Sequence, residues 1–450
     1  MMRRSLQWIA TCMMWLVACL SLAQAAPRYN VLFIVADDLN ADINCYGQPI
    51  AVTPNIDRLA TRGIRFDRAY AQYALCNPSR SSFLSGCLPD RTGVIEQDGR
   101  VREALPEAIF LPQLFRQAGY HTAARGKIHH GGLIDKPSWD EYDDAKGNDP
   151  QEVAEAKIRK GNDDRSPRWA TLEGNGEKSA DGTHTAEIAR LLEEKSAGDA
   201  PFFLALGLHK PHVPWTAPRK HFDLYPPARM PLRELLVPQD APQIALETEW
   251  PRGTRSNTPQ EALAAYLACV SFTDSNVGAV VSQLDRLKLW PTTVVVFMSD
   301  HGFHLGDHGL WSKKTLFEQS LHVPLIVVHP DGRNAGRTCR RTVELIDVYP
   351  TLAELCGLTA PSGLDGRSLR PLLDEPEAAW DHDARSVVMH SGTMGRSIRT
   401  ERWRYTEWDE GRAGVELYDH DLDPLETHNL AGRSELSETV SRLSSALRSK

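Results

Sequence analysis

Val31-Leu32-Phe33-Ile34-Val35-Ala36 is a continuous apolar run that ends in the polar pair Asp37-Asp38. Apolar residues at every position, rather than at alternate positions, predict a strand of a parallel sheet that is buried on both faces. A helix is predicted next, because Thr53-Pro54 is a typical helix start and Gly63 a typical helix end. A buried strand followed by a helix begins an α/β pattern.

The same alternation recurs along the chain. Apolar runs at residues 202–208, 294–298 and 325–328 predict further strands, with a long amphipathic helix between the first two. After Pro371, short segments at residues 397–400, 403–408 and 415–418 predict antiparallel strands, followed by a closing helix. We therefore predict an α/β fold, in which a large mixed, mostly parallel sheet is sandwiched by helices and is followed by a small C-terminal antiparallel sheet plus helix.

The length of the chain predicts more than one domain. Its 450 residues exceed what a single hydrophobic core normally holds, so one large domain with a smaller companion is expected. The predicted boundaries are residues 26–375 for the main domain and 376–450 for the C-terminal subdomain. Residues 136–182 are polar and show little periodicity, which predicts a long surface excursion.

The first 25 residues have the three-part pattern of a secretory signal peptide. Arg3 and Arg4 precede an apolar stretch at residues 8–22, and Ala23-Gln24-Ala25 supplies a small-residue cleavage site. Leu16-Val17-Ala18-Cys19 also resembles a bacterial lipobox, in which Cys19 would become the lipidated first residue. A retained membrane anchor is disfavoured, because the apolar stretch is shorter than the ~20 residues that span a bilayer. Export is therefore predicted, to the periplasm or the exterior, either free or as a lipoprotein.

The charge balance excludes one class of partner. With 51 basic and 59 acidic residues, the formal net charge is -8, which gives no electrostatic footprint for nucleic acid. A local basic pocket remains compatible with this total.

The strongest motif is Cys76-Asn77-Pro78-Ser79-Arg80 with Gly86 following. It resembles the signature of the formylglycine-dependent sulfatases, in which an export-stage enzyme oxidises the cysteine to formylglycine. Asn77 departs from the small residue most often found at its position. The resemblance implies an alkaline phosphatase/sulfatase-like fold, a formylglycine derived from Cys76, and a formylglycine-generating enzyme as a partner during maturation.

Carboxylates follow two of the predicted strands. Asp37 and Asp38 come after the first strand and Asp300-His301 after residues 294–298, and open α/β sheets place ligands at such strand ends. Together with the modified Cys76, these carboxylates supply the hard oxygen ligands that suit Ca²⁺. Many sulfatases have Asn where this chain has His301, so Mg²⁺ stays open as the alternative.

Further segments resemble the iduronate-2-sulfatase group of the family, which also has His at the position of His301. The segments begin at Gly126-Lys127, Leu208-His209 and Ser299-Asp300. The resemblance implies that Arg80 holds the formylglycine, that Lys127 and Lys313 bind sulfate oxygens, and that His212 protonates the leaving alcohol. It also implies a further catalytic histidine, which we predict to be His130 by the Lys-x-x-His pattern of this group, with His129, by the Lys-x-His pattern of common sulfatases, as the alternative.

These observations predict an exported sulfatase that acts on a sulfated carbohydrate, with a 2-O-sulfated uronic acid in a polysaccharide or oligosaccharide as the predicted substrate. The alternative is a phosphodiesterase or phosphonate monoester hydrolase of the same superfamily. A glycan-binding protein with an inactive site is disfavoured, because Cys76, Lys127 and His212 are all present.

Overall fold

The computed structural model describes residues 28–145, 169–172, 174–231, 234–247 and 259–449. The predicted signal segment, with Cys19, lies outside these ranges, and so does much of the predicted excursion at residues 136–182. The strands of the described residues are β1 Asn30–Asp37, β2 Ile64–Tyr70, β3 His121–Gly126, β4 Glu141–Asp143, β5 Trp169–Leu172, β6 Phe202–Pro211, β7 Trp215–Pro218, β8 Thr293–Ser299, β9 His304–Leu305, β10 Trp311–Ser312, β11 His322–Val323, β12 Leu325–Val328, β13 Thr338–Glu344, β14 Ala384–His390, β15 Thr393–Arg399, β16 Trp403–Trp408 and β17 Gly414–Asp419.

The main sheet is large and mixed, as predicted. Its strand order is β11-β2-β12-β8-β1-β6-β3-β4, and β13 also pairs with β2. The central strand β1 is parallel to both neighbours, β6 and β8. Strands β11 and β12 run antiparallel to β2, and β12 also runs antiparallel to β8. The predicted fold class, with its mostly parallel sheet, is confirmed.

Helices cover both faces of this sheet. The α-helices of the described residues are α1 Pro54–Arg62, α2 Cys76–Ser85, α3 Pro89–Thr92, α4 Val101–Ala104, α5 Leu111–Gln117, α6 Ala180–Ser196, α7 Arg219–Phe222, α8 Pro259–Leu287, α9 Glu318–Leu321, α10 Val348–Leu355, α11 Arg370–Asp374 and α12 Ser437–Arg448. Alternate residues of β1 enter different cores: Leu32, Ile34 and Ala36 pack with α1, α6 and α8. Val31, Phe33 and Val35 pack on the other face with α2, α5 and α10. This two-sided burial is why the first strand is apolar at every position.

Helix α8 lies at the centre of one of these layers. It is long and apolar enough to cross a membrane by composition, but 89% of its most apolar 18-residue window is buried inside the protein. Burial of this extent is typical of a core helix in a globular domain.

The C-terminal sheet has the order β14-β15-β16-β17 and is antiparallel throughout. One face packs on α12 through Ile398, Tyr405 and Leu417. The sequence analysis anticipated β15, β16, β17 and α12, but not β14. Strand β14 joins this sheet to the main body, because Val387 bridges to Tyr73 and the Ser386 hydroxyl donates to the carbonyl of Ala71.

Candidate active site

Four neighbouring strands of the main sheet deliver the predicted site residues to one edge. Asp37 ends β1 and lies opposite Pro211 at the end of β6, while Ala36 lies opposite Ser299 at the end of β8. Gly126 ends β3 opposite Gly207. The next residues along the chain are Asp38, His212, Asp300 and Lys127. Parallel strands bring their carboxyl ends to the same edge, so side chains far apart in sequence meet here.

Two glycines allow the backbone at Lys127 to approach β6 closely. Gly126 has a φ of +79°, and a Cβ at this position would lie 2.0 Å from the carbonyl oxygen of Gly207. A Cβ on Gly207 would in turn lie 2.2 Å from the backbone of Lys127. A side chain at either position would displace Lys127 from the site.

Cys76 is fully buried at the first position of α2, and charged groups converge on its sulfur. The Lys313 Nζ lies 3.2 Å and the Lys127 Nζ 3.5 Å from Sγ. The Asp37 Oδ1 and the His301 Nε2 each lie 3.4 Å away. Burial alone would raise the pKa of the thiol, but the two lysines lower it well below its ordinary value. The surroundings therefore stabilise negative charge on whatever group Cys76 carries.

Arg80 reaches beneath this cluster from the next turn of α2. Its Nε donates to the Asp300 Oδ2 at 2.9 Å, and its side chain also donates to the Lys127 carbonyl. A further ion pair joins Arg80 to Asp37 at 3.4 Å. The guanidinium is 1% exposed, so it fixes the carboxylates and the Lys127 backbone without itself facing solvent.

The possible metal-ligand atoms at this edge of the sheet are suited to a divalent cation. Atoms of Asp37, Asp38, Cys76 and His301 lie within 4.8 Å of one another, and all four residues are buried. The Asp38 Oδ2 has no hydrogen-bond partner among the described residues, although it is buried. Asp300 adjoins this group, with its Oδ2 3.6 Å from the His301 Nε2. Carboxylate oxygens with one imidazole suit a hard or borderline ion such as Ca²⁺ or Mg²⁺.

The pKa values of the ionisable groups at this edge depend on two effects, the burial of each group and the charges near it. Burial would raise the pKa of Asp37, but Lys127, His212 and Arg80 hold it below its ordinary value. Asp300 behaves differently: burial outweighs Arg80 and raises its pKa to about 6. The Asp300 carboxylate in turn overcomes the burial of His301 and raises the pKa of that imidazole to about 9. A bound cation would favour the anionic carboxylates and the neutral imidazole.

The adjacent histidines His129 and His130 occupy different surroundings. His130 faces Cys76 and is one of the groups that lower the thiol pKa. His129 instead accepts a hydrogen bond from the Trp139 indole at 3.0 Å. Burial lowers the pKa of His129 to about 4, so its ring is a neutral acceptor within the core. The structure thus brings His130 to the cluster around Cys76, while His129 points into the protein.

His212 lies at the open side of the cluster. Its Nδ1 lies 2.6 Å from the Val213 carbonyl, which accepts only, so Nδ1 carries the proton in this arrangement. Its Nε2 lies 3.9 Å from the Asp38 Oδ2. The side chain is 28% exposed, which leaves it accessible to a substrate.

Asp181 was not identified from the sequence, although its carboxylate binds the backbone of the turn that leads to His212. This carboxylate is 2% exposed, and its oxygens accept from the backbone N–H of His209 at 2.7 Å and of Lys210 at 3.0 Å. Asp181 lies in the polar excursion, where no local pattern distinguishes it from a solvated residue. Asn77, noted only as a departure from the motif, donates to the carbonyls of Glu96 and Gly99 and so anchors the neighbouring loop.

Comparison with known proteins places the chain in a family. A sequence model described as Sulfatase matches residues 29–358, and one described as N-sulphoglucosamine sulphohydrolase, C-terminal, matches residues 306–450. The chain belongs to the sulfatase family.

Within this family the chain is iduronate-2-sulfatase-like, as predicted. It is 31% identical to the iduronate 2-sulfatase of Mus musculus, over 91% of this chain and 92% of that protein. The human iduronate 2-sulfatase is also 31% identical, over 90% of this chain and 92% of that protein. A sulfatase of Formosa agariphila is 32% identical over 93% of this chain and 86% of its own length.

Solved structures share the whole fold at lower identity. A phosphonate monoester hydrolase of Agrobacterium radiobacter superposes with a TM-score of 0.77 at 23% identity, over 93% of this chain and 95% of that one. A 2-O GAG sulfatase superposes with a TM-score of 0.72 at 23% identity, over 93% and 91% of the two chains. The predicted alkaline phosphatase/sulfatase-like architecture is confirmed.

Proposed function

We propose that the protein is an exported, formylglycine- and calcium-dependent sulfatase that hydrolyses the 2-O-sulfate of a uronic acid in a sulfated polysaccharide or oligosaccharide. The observation that carries this proposal is the position of Cys76, at the start of α2 with Lys127, Lys313 and His130 around its sulfur. The similarity to iduronate 2-sulfatases over nine tenths of the chain supports the choice of substrate.

The proposed reaction requires a nucleophile other than the thiol. A hydrated formylglycine derived from Cys76 supplies two hydroxyls on one carbon, one to attack sulfur and one to expel sulfate by C–O cleavage. Around it, Lys127 and Lys313 are placed to bind the sulfate oxygens and to offset the negative charge that grows in the transition state. Arg80 holds the backbone of Lys127 and the carboxylate of Asp300, and so keeps these groups in register.

The two histidines have separate proposed roles. His212 is partly exposed and acts as the general acid in its imidazolium form, in which Nδ1–H donates to the Val213 carbonyl and Nε2–H gives its proton to the leaving alcohol. His130 contacts the residue at position 76 and orients it. His129 has no part in this scheme, because its ring is held by Trp139.

The proposed metal ligands are Asp37, Asp38, Asp300, His301 and the modified Cys76. A Ca²⁺ ion held by them would supply positive charge beside the sulfate ester. The chain's own contribution is to fix these oxygens: Arg80 orients Asp37 and Asp300, and the Asp38 amide donates to the Asp300 Oδ1 at 3.2 Å.

The proposal extends to maturation and organisation. Export follows from the predicted signal peptide at residues 1–25, with Cys19 as an alternative lipidation site, and a formylglycine-generating enzyme would act on Cys76 on the way. We propose that residues 26–375 form the catalytic domain and residues 376–450 a C-terminal subdomain.

The test is a panel of sulfated disaccharides of defined sulfate position, assayed for sulfate release. The enzyme is produced in a host with the maturation system, and the aldehyde at position 76 is verified by peptide mass spectrometry. We expect release from 2-O-sulfated uronic acid to exceed release from 6-O- and N-sulfated positions. Faster hydrolysis of a phosphonate monoester or a phosphodiester than of any sulfate would reassign the protein to the alternative activity.

A further inference from the structure

A cavity of about 370 Å³ lies next to the cluster around Cys76. Its lining includes Asn77, Arg80 and His130 on the side of the active site, and Arg100 and Lys136 toward solvent. Cys76, Lys127, His212 and Lys313 are not among the lining residues. The cavity is therefore separate from the predicted sulfate position, and its volume is that of a small-ligand site.

The charged side chains that line this cavity differ in whether a described residue pairs with them. Arg80 is paired with Asp300, and Arg102 is paired with Asp135 at 2.6 Å. Arg100 and Lys136, in contrast, are exposed and form no ion pair with any residue that the structure describes. Two unpaired cations at one opening attract an anion, although the whole chain carries a formal charge of -8.

The walls of the cavity are suited to a sugar ring. Val101, Phe110, Leu133 and Ile134 supply apolar surface, against which the C–H faces of a sugar can pack. Arg100 directly follows Gly99, whose carbonyl accepts a hydrogen bond from the Asn77 side chain at 2.9 Å. Asn77, the residue after Cys76, thus holds the loop that carries Arg100 at the opening of the cavity.

His130 connects the cavity with the reaction centre. It lines the cavity together with Asn77, the residue after Cys76, and it is one of the groups that lower the pKa of the Cys76 thiol. An occupant of the cavity would consequently lie against the same side chain as the reacting group. This placement fits a neighbouring unit of the substrate better than an unrelated molecule.

We propose that this cavity is a subsite for a second acidic sugar, linked to the sugar that carries the scissile sulfate, and that Arg100 and Lys136 bind its anionic group. The proposal rests on the proposed function and deepens it: the preferred substrate is an oligosaccharide with an anionic neighbour, rather than an isolated sulfated sugar.

The test compares the double variant Arg100→Ala/Lys136→Ala with the unmodified enzyme on four substrates. The first is a 2-O-sulfated uronic acid linked to an N-sulfated sugar, and the second has an N-acetyl group in place of the N-sulfate. The third is the 2-O-sulfated uronic acid monosaccharide, and the fourth is an activated aryl sulfate. We expect kcat/KM to fall about tenfold on the first substrate alone, through a higher KM, because exposed charge pairs contribute modestly.

The matched control is Arg433→Ala/Arg442→Ala, which removes two exposed positive charges from the C-terminal region. We expect this control to behave as the unmodified enzyme on all four substrates. An equal loss in the control would show a long-range charge effect and would overturn the subsite.

Other outcomes would also overturn the proposal. An equal loss on the monosaccharide would mean that the cations bind the reacting sugar's own carboxylate, and an equal loss on the aryl sulfate would mean that they act on the reaction centre. Unchanged kinetics on the first substrate would remove the subsite and leave the proposed function standing. If the unmodified enzyme releases sulfate from the aryl sulfate but from neither disaccharide nor the monosaccharide, the proposed function itself fails, and the subsite with it.

Discussion

The importance of His212 should depend on the leaving group of the substrate. The oxygen expelled from a sugar sulfate is a poor leaving group unless it is protonated, whereas the phenol of an aryl sulfate leaves with much less help. His212 is a partly exposed histidine at the open side of the cluster, with its Nε2 3.9 Å from the Asp38 Oδ2. A general acid at this position should therefore matter only for substrates that need one.

We expect His212→Ala to lower kcat/KM on a sulfated sugar by roughly 10²- to 10⁴-fold, and on an activated aryl sulfate by far less. Lys127→Ala is the comparison, because the proposed role of Lys127 is to bind the sulfate that both substrates share, so its loss should impair both. Steady-state kinetics on the two substrates measure the difference. Equal losses in the histidine variant would assign His212 to binding and return the acid role to His130.

Asp37 combines several functions in one carboxylate. It lies 3.4 Å from the Cys76 sulfur, forms ion pairs with Lys127 and Arg80, and belongs to the proposed metal site. Its removal should therefore affect metal content and activity together.

We expect Asp37→Ala to lose the bound cation, because few remaining oxygens could hold a hard ion, and to lose activity with it. Elemental analysis of the purified protein should fall from about one Ca²⁺ per chain to near zero. Asp285→Ala, which removes a half-exposed carboxylate far from the site, should keep the ion. Full activity of the unmodified enzyme after exhaustive chelation would rule the metal site out.

At the scale of secondary-structure elements, the turn after β6 depends on the start of α6. Asp181, in the first turn of α6, accepts hydrogen bonds from the backbone of His209 and Lys210, just before His212. The His209 Nδ1 also lies 3.2 Å from this carboxylate. Burial would raise the pKa of Asp181, but His209 and these hydrogen bonds lower it, so the residue is anionic. Asp181 is thus a positioning residue for the turn that carries His212.

We expect Asp181→Asn to lower kcat on a sulfated sugar about 10- to 100-fold, because an amide offers one acceptor where the carboxylate offers two. The loss on an activated aryl sulfate should be smaller, since that substrate does not need His212. The control His184→Gln changes a buried neighbour and leaves the hydrogen bonds of Asp181 to the turn intact. Equal losses on both substrates would indicate a general structural role.

At the scale of the whole molecule, a buried ionisable cluster joins the main sheet to the C-terminal sheet. Glu344, at the end of β13, lies 2.8 Å from the His382 Nε2 and accepts from the backbone N–H of Arg385 in β14 at 2.8 Å. Burial and Glu344 raise the pKa of Asp347 to about 7. Burial would lower the pKa of His382, but Glu344 and Asp347 raise it above the ordinary value of 6.5.

Because the folded-state pKa of His382 is raised, its stabilisation is fully present below the unfolded pKa of about 6.5 and is lost as pH rises through the folded value. We expect the Tm of the unmodified protein to exceed that of His382→Gln by more at pH 6 than at pH 9. Thermal melts of both proteins across this range measure the difference. The same difference in Tm at both pH values would show that the imidazole charge does not stabilise this junction.

Local sequence alone determined the fold class and the family. Two-sided burial makes a strand apolar at every position, so Val31–Ala36 could be predicted from its composition as a strand buried on both faces of a parallel sheet. Cys76 and Arg80 lie on consecutive turns of one helix, where sequence spacing and spatial proximity agree. Strand β14 was not predicted, because its extended conformation depends on pairing with β15 and on the bridge to Tyr73, which its own sequence does not show.

Tertiary structure decided the relations between distant segments. Sequence motifs favoured His130 and kept His129 as the alternative, and the hydrogen bond from Trp139, nine residues beyond His130 in the chain, is what holds the His129 ring in the core. Asp181 had no local signature, and neither did Arg100 and Lys136, which form no ion pair within the described part of the chain, because pairing depends on what the fold brings within a few ångströms. Backbone propensity and hydrophobic period act over a few residues, whereas hydrogen bonds and ion pairs are short-range in space and indifferent to separation along the chain.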